Sequence, residues 1–443
     1  MIEGQVPAAV VRGVTTTLRH LCQRIGPRPG GSVQEAQARR WLKEQFCRLG
    51  LRVRPEERFD FVDSDYSACR GEWRAGGRRG LLDLRPCSYS PSTPPGGIAG
   101  ELVLLGPAAR RHRPDTRLCG KVGLLLGMPM PDPNFLTTLC RRGLAAAIFL
   151  DHRANSQWPV TLNFPEAWAS LVEIPLFSLP YAQGWRLAQC QRVQVRLSAR
   201  CACFRSRSAN IIAELPGRST EVMVFCAHLD SVRGSAGAAD DASGIAAMLE
   251  IARLLSGRRP LRRTLRFVGM GMEERLSVGA AHHVQHACSG RLALVFNFDS
   301  CGSLLGADEV HVAGWPALRS FVRRACERQG FPAQVHPTIT PYVDAFPFNV
   351  AGVASLWFYR PSLTSGDWFF HSANDSCENV SAEAIARTAI FAAHLAAELA
   401  EMPRWPFPRG LPPRQLQQVR RYQEFMYGPA RAILVVTGRR ARR

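Results

Sequence analysis

Apolar positions first fall at helical spacing in SVQEAQARRWLKEQFCRL, residues 32–49, where Ala38, Trp41, Leu42, Phe46 and Leu49 mark one face. Ser32 stands as N-cap with Glu35 three residues on, and Gly50 follows the last turn. Those signals predict a helix over 32–49. LRVRPEERF then alternates as an edge strand does. From about 66 to 100, Gly, Pro, Ser and Arg accumulate, and the stretch reads as a boundary. From about 97 to 200 short apolar runs follow one another: GELVLLG, GKVGLLLG, LAAAIFLD, IPLFSL and VQVRLSA. One helix is expected among them, around FLTTLCRRG.

From 209 to about 400 the texture becomes strand, helix, strand, helix. EVMVFCAHLD, TLRFVGMGMEE, LALVFNFDS and VASLWFYRP are near-continuous apolar strands. ASGIAAMLEIARLLSG, SVGAAHHVQHACSG, PALRSFVRRACERQG and SAEAIARTAIFAAHLAAELAE are helices, the last with Ser381 ahead of it and Glu383 in its first turns. Apolar strands alternating with helices predict an α/β fold, a mostly parallel sheet covered by helices on both faces. A smaller, β-rich α/β domain is inserted into it. The expected division is 1–90 with 201–405, an insertion of 91–200, and a basic tail of 406–443 in which ARAILVVTG could add a strand.

Composition narrows the classes. Hydrophobic residues are 46% and charged residues 21%, a globular balance that excludes disordered and coiled-coil chains. No stretch reaches 18 apolar residues, so no transmembrane helix is expected, and the amino-terminal residues lack the pattern of an export signal. The net charge is +20, from 56 basic against 36 acidic residues. All the basic residues but Lys43 and Lys121 are arginine, and they are dispersed along the chain, so no specific nucleic-acid partner is expected. The 14 cysteines form no CxxC or Cys/His knuckle. They read as reduced thiols, and the expected compartment is the cytoplasm.

In doubly wound sheets ligands bind beyond the carboxyl ends of the strands. Here the first strand runs into His228 and Asp230, the next into Glu273 and Glu274, and the third into Asp299. His371 and Asp375 follow the last core strand, and Asp240 and Asp241 precede the first helix. Each residue alone has an ordinary reading as a surface histidine, an N-cap or a solvated glutamate. Together they put many like charges on one rim, with only Arg233 and Arg275 close in sequence. Metal ions relieve that repulsion, and mixed His and carboxylate ligands suit zinc, cobalt or manganese. Two ions about 3.5–4 Å apart, bridged by one carboxylate, would use five ligands and leave Glu273 for proton transfer. Neighbours on a strand point to opposite faces, so Glu273 and Glu274 both reach such a site only if the chain leaves the sheet there.

AHLDS, GAADDASG, GMEE, NFDS and FHSANDS resemble, in order and spacing, the motif series of the co-catalytic zinc aminopeptidases of metallopeptidase family 28. The resemblance runs from about 209 to 400. The inserted region resembles the protease-associated domain that many members carry. It implies two zinc ions per chain, with His228 and Asp299 on one, Glu274 and His371 on the other, and Asp240 between them. It implies Glu273 as general base and Asp230 as the residue that orients His228. It also implies a cis peptide between Asp240 and Asp241. Leu276 and Ala280 depart from the family's Gly and Ser, which bears on how the following helix begins. The substrate would be a peptide or a small amino-acyl compound. Glutaminyl-cyclase-like, carboxypeptidase-type and non-catalytic members of the fold are the alternatives. Tyr342 and Trp368 are candidate pocket residues, whereas Trp357, Phe358 and Tyr359 are expected to pack in the core. Asp344 could support a ligand or cap a turn.

Overall fold

The computed structural model describes residues 6–105, 116–126, 133–151, 153, 158–257, 261–286, 291–363 and 369–427. They fall into two compact units. Of the described residues, those within 6–60 and 207–424 form one, and those within 61–206 with 425–427 the other.

At the centre of the first unit are four parallel strands in the order Thr264–Met270, Val222–His228, Leu292–Phe298 and Ala354–Tyr359. Antiparallel neighbours close both sides. Residues 211–215 pair with 265–269, and Glu309–Ala313 pairs with Ala354–Tyr359. The alternation of side chains gives each face its own core. Met223, Phe225, Ala227, Phe267 and Phe296 lie under Ser243–Ser256, Ala382–Glu401 and Ala8–Leu18. Val222, Val224, Cys226 and Val268 face the helix Val278–His286 with Phe348. Val222–His228 and Leu292–Phe298 are buried on both faces, which is why these two strands carry no polar alternation. Strand order reverses at Val222–His228, whose two neighbours are the next two strands in sequence.

The helix predicted over 32–49 is Val33–Arg48, with the Ser32 hydroxyl accepting from the Glu35 amide. The Ser381 cap is also formed, by a bond from the Ala384 amide. Two stretches carry elements that the sequence reading did not name. The stretch at 66–100 includes a β-hairpin, Gly71–Ala75 with Arg78–Leu82. Its two-residue turn, Gly76-Gly77, takes positive φ at both positions, the conformation that glycine allows. In the tail, Pro413–Tyr427 is a helix that sets the Gln415 side chain against the Gly314 amide. ARAILVVTG lies outside the described residues.

In the second unit Ile98–Leu105, Val122–Leu126, Ala146–Leu150 and Leu176–Leu179 pair in parallel succession. Pro133–Arg141 is the helix expected between two of them. Among the described residues, no helix of the chain is long and apolar enough to cross a membrane.

Candidate metal centre

His228 ends the strand at which the order reverses, where crevices open at the carboxyl edge of such a sheet. Asp299 follows the adjacent strand directly. The chain turns out of the sheet after Met270, with Met272 at φ 60°, and the next turn holds both Glu273 and Glu274. This exit lets two sequence neighbours reach one place. Asp230 fixes the turn, its carboxylate accepting from the amides of Glu273 (3.1 Å) and Glu274 (3.2 Å). Leu276 takes φ 64°, a left-handed conformation unusual for a leucine, at one of the positions where the sequence departs from the family. Ala280, the other departure, is fully buried.

Asp240 lies in the turn ahead of Ser243–Ser256, and the peptide between Asp240 and Asp241 is cis, as the resemblance implied. Asp375 anchors this turn, its carboxylate accepting from the amides of Ala239 (2.6 Å) and Asp240 (3.0 Å). Asp241 points away to accept from the amides of His228 and Gly244.

The predicted ligands form two sets that share one residue. His228, Asp240 and Asp299 make one set, and Asp240, Glu274 and His371 the other, with potential ligand atoms in each set within 4.8 Å of one another. Asp240 Oδ1 lies 2.9 Å from His228 Nε2, and its Oδ2 lies 3.2 Å from His371 Nε2. Glu274 is 3.0 Å from His371 Nε2, and Asp299 is 3.9 Å from His228 Nε2. Glu273 stands 4.0 Å from His228 Nε2. These donors are nitrogen and oxygen, from side chains that are buried or, at His371, half-buried, and they fit divalent zinc.

The charges are not balanced by the chain itself. Burial pushes Glu273 well above the ordinary carboxylate range; His228 opposes this, while Asp299, Asp344 and Glu274 add to it. Burial also raises Asp299 to about 7. Burial disfavours the His371 imidazolium, but Glu274 and Asp240 outweigh it and raise the pKa to about 10. Protons on the histidines thus meet the need for positive charge that a cation would meet with neutral imidazoles as ligands.

Asp230 holds His228 differently from the expectation. The main-chain carbonyl of Asp230 accepts from Nδ1 at 3.0 Å, and the carboxylate stands at 3.6 Å. That leaves Nε2 for the ion. Arg28, wholly buried, was not singled out in the sequence. Its guanidinium donates to the carbonyls of Leu229, Ala236 and Gly237, tying down the loop between His228 and Asp240. An arginine in GPRPGG carries no local signal for partners some two hundred residues away.

Among the aromatic candidates, Phe358 is core, but Trp357 and Tyr359 lie half-buried on the opposite face, stacked on each other. The Trp357 indole donates to the main-chain carbonyl of Asp299. Burial beside Tyr422 raises the Tyr342 hydroxyl to about 12, so its neighbour is the carboxy-terminal helix. Trp368 lies outside the described residues. Phe369 and Phe370 line a recess with Ala239, Ser300 and Asp375 next to the two sets. Asp344 is buried and makes no cap bond to the helix it precedes.

Residues 210–396 match the family model described as Peptidase family M28. Aminopeptidase YwaD of Bacillus subtilis is 28% identical over 382 residues, 83% of this chain and 80% of that protein. The probable lipoprotein aminopeptidase LpqL of Mycobacterium tuberculosis is 30% identical over 258 residues, 55% of this chain and 49% of that one. The chain is also similar to the solved structure of BSAP, a zinc aminopeptidase from Bacillus subtilis. The TM-score is 0.69 at 25% identity, over 87% of this chain and 94% of that one.

Proposed function

We infer that the chain, which carries a Peptidase family M28 domain over residues 210–396, is a zinc-dependent aminopeptidase that uses two ions and Glu273 as general base. The observation that carries this reading is the double engagement of Asp240, with one carboxylate oxygen toward His228 and the other toward His371. Names of the relatives support the aminopeptidase activity.

His228 and Asp299 would hold one ion, Glu274 and His371 the other, and Asp240 both. When bound, zinc supplies Lewis acidity, which polarises the scissile carbonyl and lowers the pKa of water. Glu273 takes the proton from the attacking water and returns it to the leaving amine. Its main-chain amide donates to the Asp230 carboxylate, and the Ser277 hydroxyl donates to its own carboxylate at 3.3 Å, which holds the residue in place. Asp230 sets the Nδ1 side of His228, Asp375 sets the bridging turn, and Arg28 sets the loop before it. The Phe369 and Phe370 wall receives a substrate side chain.

The unit 61–206 is the counterpart of the protease-associated domain, and the five proposed ligands all belong to the other unit. The cysteines among the described residues are free thiols, which supports a cytoplasmic location.

Elemental analysis of the purified protein, paired with a panel of amino-terminally free and blocked peptides, tests this function. Two zinc ions per chain and hydrolysis confined to free amino termini are expected. One ion that stays single in excess zinc, with cyclisation of amino-terminal glutamine, would establish the cyclase-like alternative instead.

A further inference from the structure

A second group of imidazoles lies outside the centre described above. The helix Val278–His286 carries His282 and His286 one turn apart, with ring centroids 4.0 Å from each other. Residues at this spacing share a helix face, the arrangement by which two histidines can hold one metal ion. His286 is exposed and His282 half-buried against Phe59, whose ring centroid is 5.3 Å away.

The hydrogen bonding favours coordination. His286 Nδ1 lies 2.8 Å from the main-chain carbonyl of His282. A carbonyl only accepts, so Nδ1 carries the hydrogen and the lone pair sits on Nε2. Metal-binding histidines are held in this way, by donation of the second ring nitrogen to a carbonyl. Burial lowers the His282 pKa, with the neighbouring His286 adding to the effect, so this ring is neutral and able to ligate. Glu57 supplies charge. His283 Nδ1 contacts its carboxylate at 2.7 Å and Asn210 donates to it at 3.2 Å. Burial raises the Glu57 pKa, but His283 outweighs it and keeps the group ionised, within electrostatic reach of His282.

We propose that His282 and His286 form a surface site for one divalent transition-metal ion of the nickel, copper and zinc group, with Glu57 as the neighbouring anion. Imidazole suits these ions, and the affinity order within the group favours copper. Two protein ligands leave the remaining positions to water, so the site is an exchangeable one.

The test uses the full-length protein loaded with zinc and freed of excess ion. Nickel is titrated into it by calorimetry while released zinc is followed. One nickel ion per chain should bind without displacing zinc. His282→Ala and His286→Ala should each weaken that binding by roughly tenfold or more, with the unfolding temperature of the exposed His286→Ala variant unchanged. No nickel uptake, uptake matched by zinc release, or uptake equal in both variants and the parent protein would overturn the proposal. Either variant suffices to decide, so misfolding of one leaves the test intact.

Discussion

Each unit of this protein buries an aspartate directly after a parallel strand, and the two aspartates have opposite fates. In the second unit Asp151 follows Ala146–Leu150 and is fully buried. Arg153, two residues on, meets it through Nε at 3.0 Å and a terminal nitrogen at 2.6 Å. In the first unit Asp299 follows Leu292–Phe298, and among the described residues no arginine forms an ion pair with it. The imidazole of His228 faces it, with Nε2 at 3.9 Å. Burial and strand-end position are shared, so neither marks a functional site. What differs is whether the chain supplies the counter-charge next to the carboxylate. Where it does, the aspartate is closed into the structure. Where several carboxylates meet with only histidines between them, the site calls for a cation from outside.

The largest effect expected from breaking this contrast lies in the catalytic rate. Glu273→Gln keeps the side-chain shape and removes the proposed proton acceptor. Turnover should fall by a factor of about 10²–10⁴ with both zinc ions kept. Glu274→Gln instead removes a proposed charged ligand and should cost a zinc ion. Metal analysis and initial rates separate the two variants. If Glu273→Gln loses metal while Glu274→Gln retains two ions, the two roles are exchanged.

The second unit offers the converse test. Arg153→Met leaves Asp151 buried and unpaired, and should destabilise the protein by about 3–5 kcal/mol. Zinc content and turnover of the folded fraction should not change. Asp299→Asn should do the reverse, lowering zinc content while relieving repulsion in the metal-free chain. Denaturant unfolding with metal analysis reads both. Equal losses of zinc in the two variants would erase the contrast.

A smaller effect sharpens the comparison through pH. In metal-free protein Asp299 and Asp375 are each raised from 3.8 to about 7, chiefly by burial. The folded chain therefore holds protons that the unfolded chain has released, and stability falls as pH rises from about 4 to 7. His371 is raised from 6.5 to about 10, because Glu274 and Asp240 outweigh burial. The stability it contributes is complete below 6.5 and is lost on rising toward 10. All three act in one direction. Zinc competes with the protons on Asp299 and His371, so the stability gap between zinc-loaded and stripped protein should widen from pH 5 to pH 8. Chemical denaturation of both forms checks this, and a gap that narrows would contradict the charge arrangement described above.

Much of this architecture was legible in the chain. The period of the apolar runs marked the parallel strands and their helices, because strands buried on both faces carry no polar alternation. The order of AHLDS, GAADDASG, GMEE, NFDS and FHSANDS marked the residues that converge, since strand ends in such a sheet share one rim. The helix at Val33–Arg48 was fixed by its own cap and its own following glycine. These are local properties, set by residues a few positions apart, and a sequence states them directly.

Tertiary structure decided the rest. Met272 in a left-handed conformation, with the Asp230 carboxylate on two amides, let Glu273 and Glu274 both reach the centre. Arg28 gained its role from carbonyls near residues 229–237, and Trp357 from a carbonyl at Asp299. Trp357 and Tyr359 moved from expected core to a half-buried face because the strand alternates and only one of its faces is packed by Ala382–Glu401. A residue's type and spacing disclose what it can bond to. Which distant backbone atom it meets depends on how the chain returns through space, and no local pattern carries that information.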